Sequence, residues 1–317
     1  MNNSAMHRVG WQSQFRLLIG SVLVLWLAST SSAPAWAQAA AAKKKRFEDI
    51  TLHTEDGVIL RCTYYPAQPS KQTVPVILLH DWNGNRAQFH QLALYLQRKK
   101  ITVIVPDLRG HGQSTFRMLP GGRSPLKIDR TKMKKAAVES TVLDVEAVKK
   151  FLLEKNNKGE LNIEQLCVVG CGFGSIVALN WAMVDWNKRS LPAYKIGKDV
   201  KALVLVSPLQ SFRGVTTRMA LAHPVVRKGL AVLVIVGANN SQYYSEAKRV
   251  FKSFERFHGK KAQDIGFLEF DTSLEGTQLI NARGLGVGGK IAQFIDWILV
   301  RNAARYPWHD RTNPLDQ

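Results

Sequence analysis

Short continuous apolar runs alternate with longer stretches whose apolar residues recur every three or four positions. The runs Pro75–His80, Ile101–Pro106, Leu166–Val169, Ala202–Val206, Ala231–Val236 and Gly266–Phe270 lack the polar alternation of a half-exposed strand, so they predict strands covered on both faces. Between them, Phe89, Leu92 and Leu96 predict a helix over Gln88–Arg98, and Val138, Val142, Val145 and Leu152 another over Val138–Glu154. Ser241–Arg256 and Lys290–Val300 read as helices too, the latter with Ile291, Phe294, Ile295 and Ile298 inward. At the start, Ile50–His53 and Val58–Tyr65 flank Glu55-Asp56-Gly57, the signature of an antiparallel hairpin. Ser114–Met133 is polar, basic and rich in Gly and Pro, which predicts a surface excursion. Strands alternating with helices predict a mostly parallel sheet of about eight strands with helices on both faces. The stretch between Val206 and Ala231 leaves room for little or no cap domain.

Composition fits one large α/β domain, since 317 residues with 45% hydrophobic content can bury a sizeable core. We place the domain at 47–304 and a C-terminal tail at 305–317. Residues 1–37 read as a signal peptide, with Arg8 and Arg16 before an apolar core from Leu17 to Ala28 and an Ala35-Trp36-Ala37 cleavage site. Residues 38–46 (QAAAAKKKR) form a basic linker. The expected location is therefore periplasmic or secreted, with an uncleaved membrane anchor as the alternative. The formal charge is +20, carried partly in runs at Lys43–Arg46, Arg98–Lys100, Arg130–Lys135 and Lys260–Lys261. Such a surface favours acidic polymers or membrane headgroups, although a merely solvated basic face accounts for it equally simply. No aromatic interleaving accompanies the runs, which disfavours nucleic acid. The three cysteines include no C-x-x-C pair, so neither a zinc site nor another cofactor is expected.

The stretch Cys167–Ala182 (CVVGCGFGSIVALNWA) joins an apolar strand to an apolar helix through Gly170, Gly172 and Gly174. It has the outline of Gly-x-Ser-x-Gly, in which a sharp turn lifts a reactive serine between two glycines. Here the middle residue is Gly172.

Together with HDWNGN (His80–Asn85), PDLRGHGQS (Pro106–Ser114) and VLVIVGANN (Val232–Asn240), this block resembles the α/β-hydrolase superfamily, in its esterase, lipase and serine-aminopeptidase-like branches. The resemblance runs from about Phe47 to Arg301 and implies the α/β-hydrolase fold. It also implies a Ser–acid–His triad, whose positions fall here on Gly172, Asn240 and Gln278. Glycine has nothing to attack with, asparagine cannot stabilise an imidazolium by charge, and glutamine cannot shuttle a proton near neutral pH. No histidine lies between Gly259 and Arg301 at all.

Two substitute nucleophiles lie nearby. Cys171 adjoins the nucleophile position but points away from it on an elbow, and Ser175 would require a slipped turn. His80 is expected to hold its loop, and Asp81, in a slot commonly held by glycine, to cap the loop or helix. A metal cluster of His80, Asp81, Asp107 and His111 matches no ligand spacing, and the Gly284–Gly289 run lacks the ending of a phosphate loop. The expected function is an exported hydrolase-like protein without hydrolase activity, binding a small molecule or protein partner around His80, Asp81, Trp82, Gly172 and Phe173. In that reading the backbone N–H groups near Gly172 and Phe173 lie open to an anion, and a filled elbow would overturn it. The alternatives are an ester or peptide hydrolase with a displaced nucleophile, and a basic envelope protein that binds polyanions.

Overall fold

The computed structural model describes residues 46–119, 121–122, 124–189, 195–259 and 262–312. The segment expected as a signal peptide and nearly all of that expected as a basic linker, like Lys260–Lys261, lie outside these residues.

The strands are β1 (Glu48–His53), β2 (Val58–Tyr65), β3 (Pro75–Leu79), β4 (Thr102–Pro106), β5 (Phe116–Arg117), β6 (Leu126–Lys127), β7 (Leu166–Cys171), β8 (Val200–Val206), β9 (Ser211–Phe212), β10 (Val215–Thr216), β11 (Ala231–Gly237) and β12 (Ile265–Phe270). The helices are α1 (His90–Arg98), α2 (Lys135–Glu139), α3 (Val142–Asn157), α4 (Phe173–Asn187), α5 (Arg218–Ala222), α6 (Pro224–Gly229), α7 (Ser241–His258), α8 (Gly276–Asn281) and α9 (Val287–Ile295). The main sheet runs β12-β11-β8-β7-β3-β4-β2, with β1 paired to the far side of β2. From β12 to β4 every pair is parallel, and β2 and β1 turn antiparallel at the edge, as the opening hairpin predicts. Eight full strands thus form the sheet. β5 and β6 add two-residue ribbons beyond β2, so the stretch expected as a surface excursion also extends the sheet edge.

Alternation along the buried strands feeds two cores. Leu166 and Val168 face α3, α4 and α7, where Val148, Leu152, Trp181 and Phe254 pack. Cys167 and Val169 face the opposite layer with Leu96, Leu279, Ile291 and Ile295. The helix expected over Val138–Glu154 is broken at Ser140–Thr141 into α2 and α3; the Ser140 hydroxyl folds back onto the Ala136 carbonyl there. Between β8 and β11 stand only the β9–β10 hairpin and the two short helices α5 and α6, a small cap.

The last described segment is fastened to the sheet. Arg311 is buried and pairs with Glu164 and Asp199 at 2.7 Å each, and the Trp308 indole N–H donates to the Asn156 carbonyl. Lys149 reaches Asp199 from the α3 side at 3.0 Å. A carboxylate neighbour, Asp185, accepts from the Asp199 and Val200 backbone N–H groups. Burial and the Asp199 charge push Asp185 up to about 6, while Lys149 and Arg311 hold Asp199 well below the usual range.

Candidate functional site

The strand–turn–helix of β7, Gly172 and α4 sits at the carboxyl edge of the sheet, where parallel α/β folds place their chemistry. Gly172 has φ 49° and ψ −115°, the strained turn of a nucleophile elbow. The flanking glycines are sterically required. A Cβ on Gly170 would lie 2.4 Å from the Gly174 carbonyl oxygen, and one on Gly174 would lie 2.4 Å from that of Leu79. The elbow's backbone is intact.

Its interior is occupied. The Trp82 and Phe173 backbone N–H groups both donate to Oδ1 of Asp81, each at 2.7 Å. One amide follows the nucleophile position and the other lies in the loop after β3, the pairing that builds an oxyanion hole in this architecture. Asp81 Oδ1 therefore sits where a developing oxyanion would. The rest of the carboxyl fills the volume of the missing nucleophile, since a Cβ on Gly172 would lie 2.3 Å from Asp81 Cγ. The expectation that these amides lie open to an external anion is thereby corrected. The cap expected of Asp81 is present, on the first residue of α4. Burial pushes the Asp81 carboxyl up, against the two amide bonds that favour its charged form.

Aromatic rings close over this carboxylate. Trp82 meets Phe173 edge-on at 5.1 Å, and Phe212 from β9 packs against both at 5.0 and 5.5 Å. Trp82 is 8% exposed and Phe173 1%. Arg130, from one of the basic runs, donates to the Trp82 carbonyl at 2.6 Å, so part of that run secures the loop. His80 is fully buried between the Asp81 carbonyl at Nδ1 and the Leu108 N–H at Nε2, and desolvation lowers it to about 4. It is neutral and holds the loop. His111 packs its ring on Trp82, and burial lowers it as well.

The other two triad positions divide. Asn240 caps α7, accepting from the Tyr243 N–H, and its amide donates to Glu275 Oε2 at 3.1 Å. That bond joins the loop after β11 to the loop after β12, so the residue that meets Asn240 is Glu275, while Gln278 is exposed. The reason is local. Gly276–Asn281 form the short helix α8, which starts after Glu275 and turns Gln278 to the exposed face. Gly276 beside it abuts the elbow, a Cβ there lying 3.8 Å from Asp81 Oδ2. Glu275 also shares a hydrogen bond with the Tyr243 hydroxyl; burial raises its pKa and the Asp81 charge adds to the rise. Tyr243 is pushed up to about 12 by burial and these two carboxylates.

Neither substitute nucleophile is poised. The Cys171 thiol is buried and pushed far up by desolvation and the Asp81 charge. The Ser175 hydroxyl is buried and donates to the Gly172 carbonyl at 2.6 Å. Among the described residues no three His, Cys, Asp or Glu side chains gather into a metal-binding group.

The family model described as alpha/beta hydrolase fold matches residues 74–232, half of the chain. The chain belongs to the α/β-hydrolase family. Solved structures agree on the fold. An esterase of Pyrococcus furiosus superposes with a TM-score of 0.57 at 15% identity over 80% of this chain and 91% of its own. An esterase of Pyrobaculum calidifontis gives 0.55 at 15% over 83% and 89%. A dienelactone hydrolase of Anabaena variabilis gives 0.54 at 13% over 80% and 99%. Comparison with curated protein sequences yields no match. Within the α/β-hydrolase frame, the residue not anticipated was Glu275, and the signal that could have found it is Glu275-Gly276 two residues before the apolar pair Leu279-Ile280.

Proposed function

We propose that this α/β-hydrolase-family protein has lost acyl-transfer activity and acts by binding a small-molecule or protein partner. The observation that carries the reading is Asp81 Oδ1 on both elbow amides, with its carboxyl in the volume a nucleophile would need. An enzyme of this class stabilises charge that appears only in the transition state. A permanent carboxylate in the oxyanion hole removes that advantage, because the donors are engaged in the ground state. The replacement of the acid–histidine pair by Asn240–Glu275 supports the same conclusion, since neither partner is a base suited to a serine. Binding at His80, Asp81, Trp82, Gly172 and Phe173 is no longer part of the reading, because the Asp81 carboxyl fills the elbow, and the partner meets another face of the protein. Export to the periplasm or medium, and contact of the basic surface with an acidic polymer or membrane, form part of this proposal.

The test is labelling of the purified protein with a fluorophosphonate probe beside a short-chain ester assay. Expected are no labelling and no turnover by the wild type, and the same for Cys171→Ala. Saturable labelling of one serine, or turnover abolished by Cys171→Ala, would instead establish a displaced nucleophile.

A further inference from the structure

We propose a second site, for a phosphate group, in a cavity of about 550 Å³ on the flank of the small cap. It lies among α5, α6, the end of α7 and the strand ends of the β9–β10 hairpin, and it does not depend on the reading of the elbow. Three guanidinium groups line it, those of Arg218, Arg227 and Arg256. No carboxylate lines it. Among the described residues none of the three guanidinium groups has a hydrogen-bond or ion-pair partner, although acids are available nearby on α7. Glu246 is engaged by the Gln210 N–H and by Arg249.

Three uncompensated cations around one concavity differ from a solvated basic face in two respects. They converge on a shared volume from three separate helices, and two are held in place by an aromatic ring. Arg227 lies 4.1 Å from the Phe257 ring centroid and Arg256 5.8 Å, so Phe257 orients both forks without neutralising either. Of the four hydroxyl residues in the lining, two are turned to the backbone, Thr217 donating to the Gln210 carbonyl and Ser253 to that of Arg249, and Ser211 and Thr216 stand beside the arginines. Recognition of the charge therefore falls to the arginines. Planar forked donors match tetrahedral phosphate oxygens in pairs, and a doubly charged phosphate would relieve the mutual repulsion of three cations. The volume lies within the range of small-molecule sites, so it admits the organic part of a phosphate ester, against the apolar wall of Leu221 and Phe257. A soluble phosphate ester and a phospholipid headgroup share this chemistry.

The test is calorimetric titration of the full protein with inorganic phosphate and glycerol 3-phosphate, and co-sedimentation with phosphatidylcholine vesicles with and without phosphatidic acid. Arg218→Gln, Arg227→Gln and Arg256→Gln are compared with Arg249→Gln, which removes the same charge from α7 at a residue outside the cavity lining. Thermal melts verify that each variant folds. Each pocket variant should weaken phosphate binding about ten-fold, as expected for losing one charged hydrogen-bond donor, and Arg249→Gln less than two-fold. Arg227→Lys, which keeps charge but loses the fork, should recover only part of the loss. Binding of the soluble ligands identifies a soluble phosphate ester. Sedimentation with phosphatidic acid vesicles alone, lost in the pocket variants, identifies a headgroup. No binding by either route, or an equal loss in Arg249→Gln, overturns the site.

Discussion

Returning the serine to the elbow, Gly172→Ser, tests whether Asp81 really occupies the nucleophile's space. The new Cβ would stand 2.3 Å from the Asp81 carboxyl carbon, so the carboxylate must leave. Leaving breaks two hydrogen bonds from the Trp82 and Phe173 amides to a charged acceptor. With a net worth of about 1.5 kcal/mol each, that is about 3 kcal/mol. The left-handed φ of 49° adds about 1 kcal/mol for any residue with a Cβ. Gly172→Ser alone should therefore cost about 4 kcal/mol. Asp81→Gly alone leaves two buried amides unpaired and should cost about 3 kcal/mol. In the double variant the clash is absent and the amides are lost only once, so its cost should be close to 4 kcal/mol and not 7. The coupling of about 3 kcal/mol is read from urea denaturation of the four proteins, with tryptophan fluorescence as the probe and equal m-values as the control. Coupling below about 0.5 kcal/mol would show that the carboxylate does not fill the elbow.

Two further outcomes follow from the buried chemistry. Asp185, pushed up to about 6, binds its proton more tightly in the folded chain than in the unfolded one, so its contribution to stability is present at low pH and is lost as pH rises from about 4 through 6. Asp185→Asn should flatten the stability–pH curve across that window, measured by urea denaturation at several pH values; a variant curve parallel to the wild type would contradict the assignment. Cys62, Cys167 and Cys171 are all buried, and burial raises each thiol, so iodoacetamide should modify none of them at pH 8 until denaturant is added. Rapid native-state alkylation of Cys171 would show an accessible, activated thiol.

Much of the architecture was legible because it rests on patterns with one solution. Five of the six apolar runs are strands buried on both faces, the sixth, β12, is the half-exposed sheet edge with Glu269 at the surface, and the Gly170–Gly172–Gly174 cluster is a turn where backbones touch. The site was legible in its losses but not in its replacement. That Gly172 lacks a nucleophile is evident from its identity, whereas its compensation by Asp81 depends on a contact between residues 92 positions apart. An aspartate in a slot usually held by glycine was the available sign; the sequence suggests a cap on the loop or a helix, without naming α4 as the helix. The acid position, Asn240, was placed by its distance from β11, a rigid strand. The contact of Glu275 with Asn240 was not legible because the segment after β12 folds into the short helix α8, which exposes Gln278 and leaves Glu275, just before the helix, facing Asn240. The anchoring of Trp308 and Arg311 had no local signature, since their partners belong to α3 and to the starts of β7 and β8.

The Arg311 cluster also bears on the order in which the domain can be completed. Its partners Glu164 and Asp199 precede it by 147 and 112 positions, so they emerge and begin to fold long before their counter-charge exists. Lys149 and Lys195 can share the interim burden, but two carboxylates still face one another across Asp185 and Asp199. Without Arg311, Glu164 and Asp199 would keep only Lys149 and Lys195 as counter-charges, with Asp199 still beside Asp185, so that corner of the sheet would be costlier to keep dry. The segment 306–312 thus works as a latch over the starts of β7 and β8, at the edge of the sheet opposite the elbow, by adding a third cation beside three carboxyl groups.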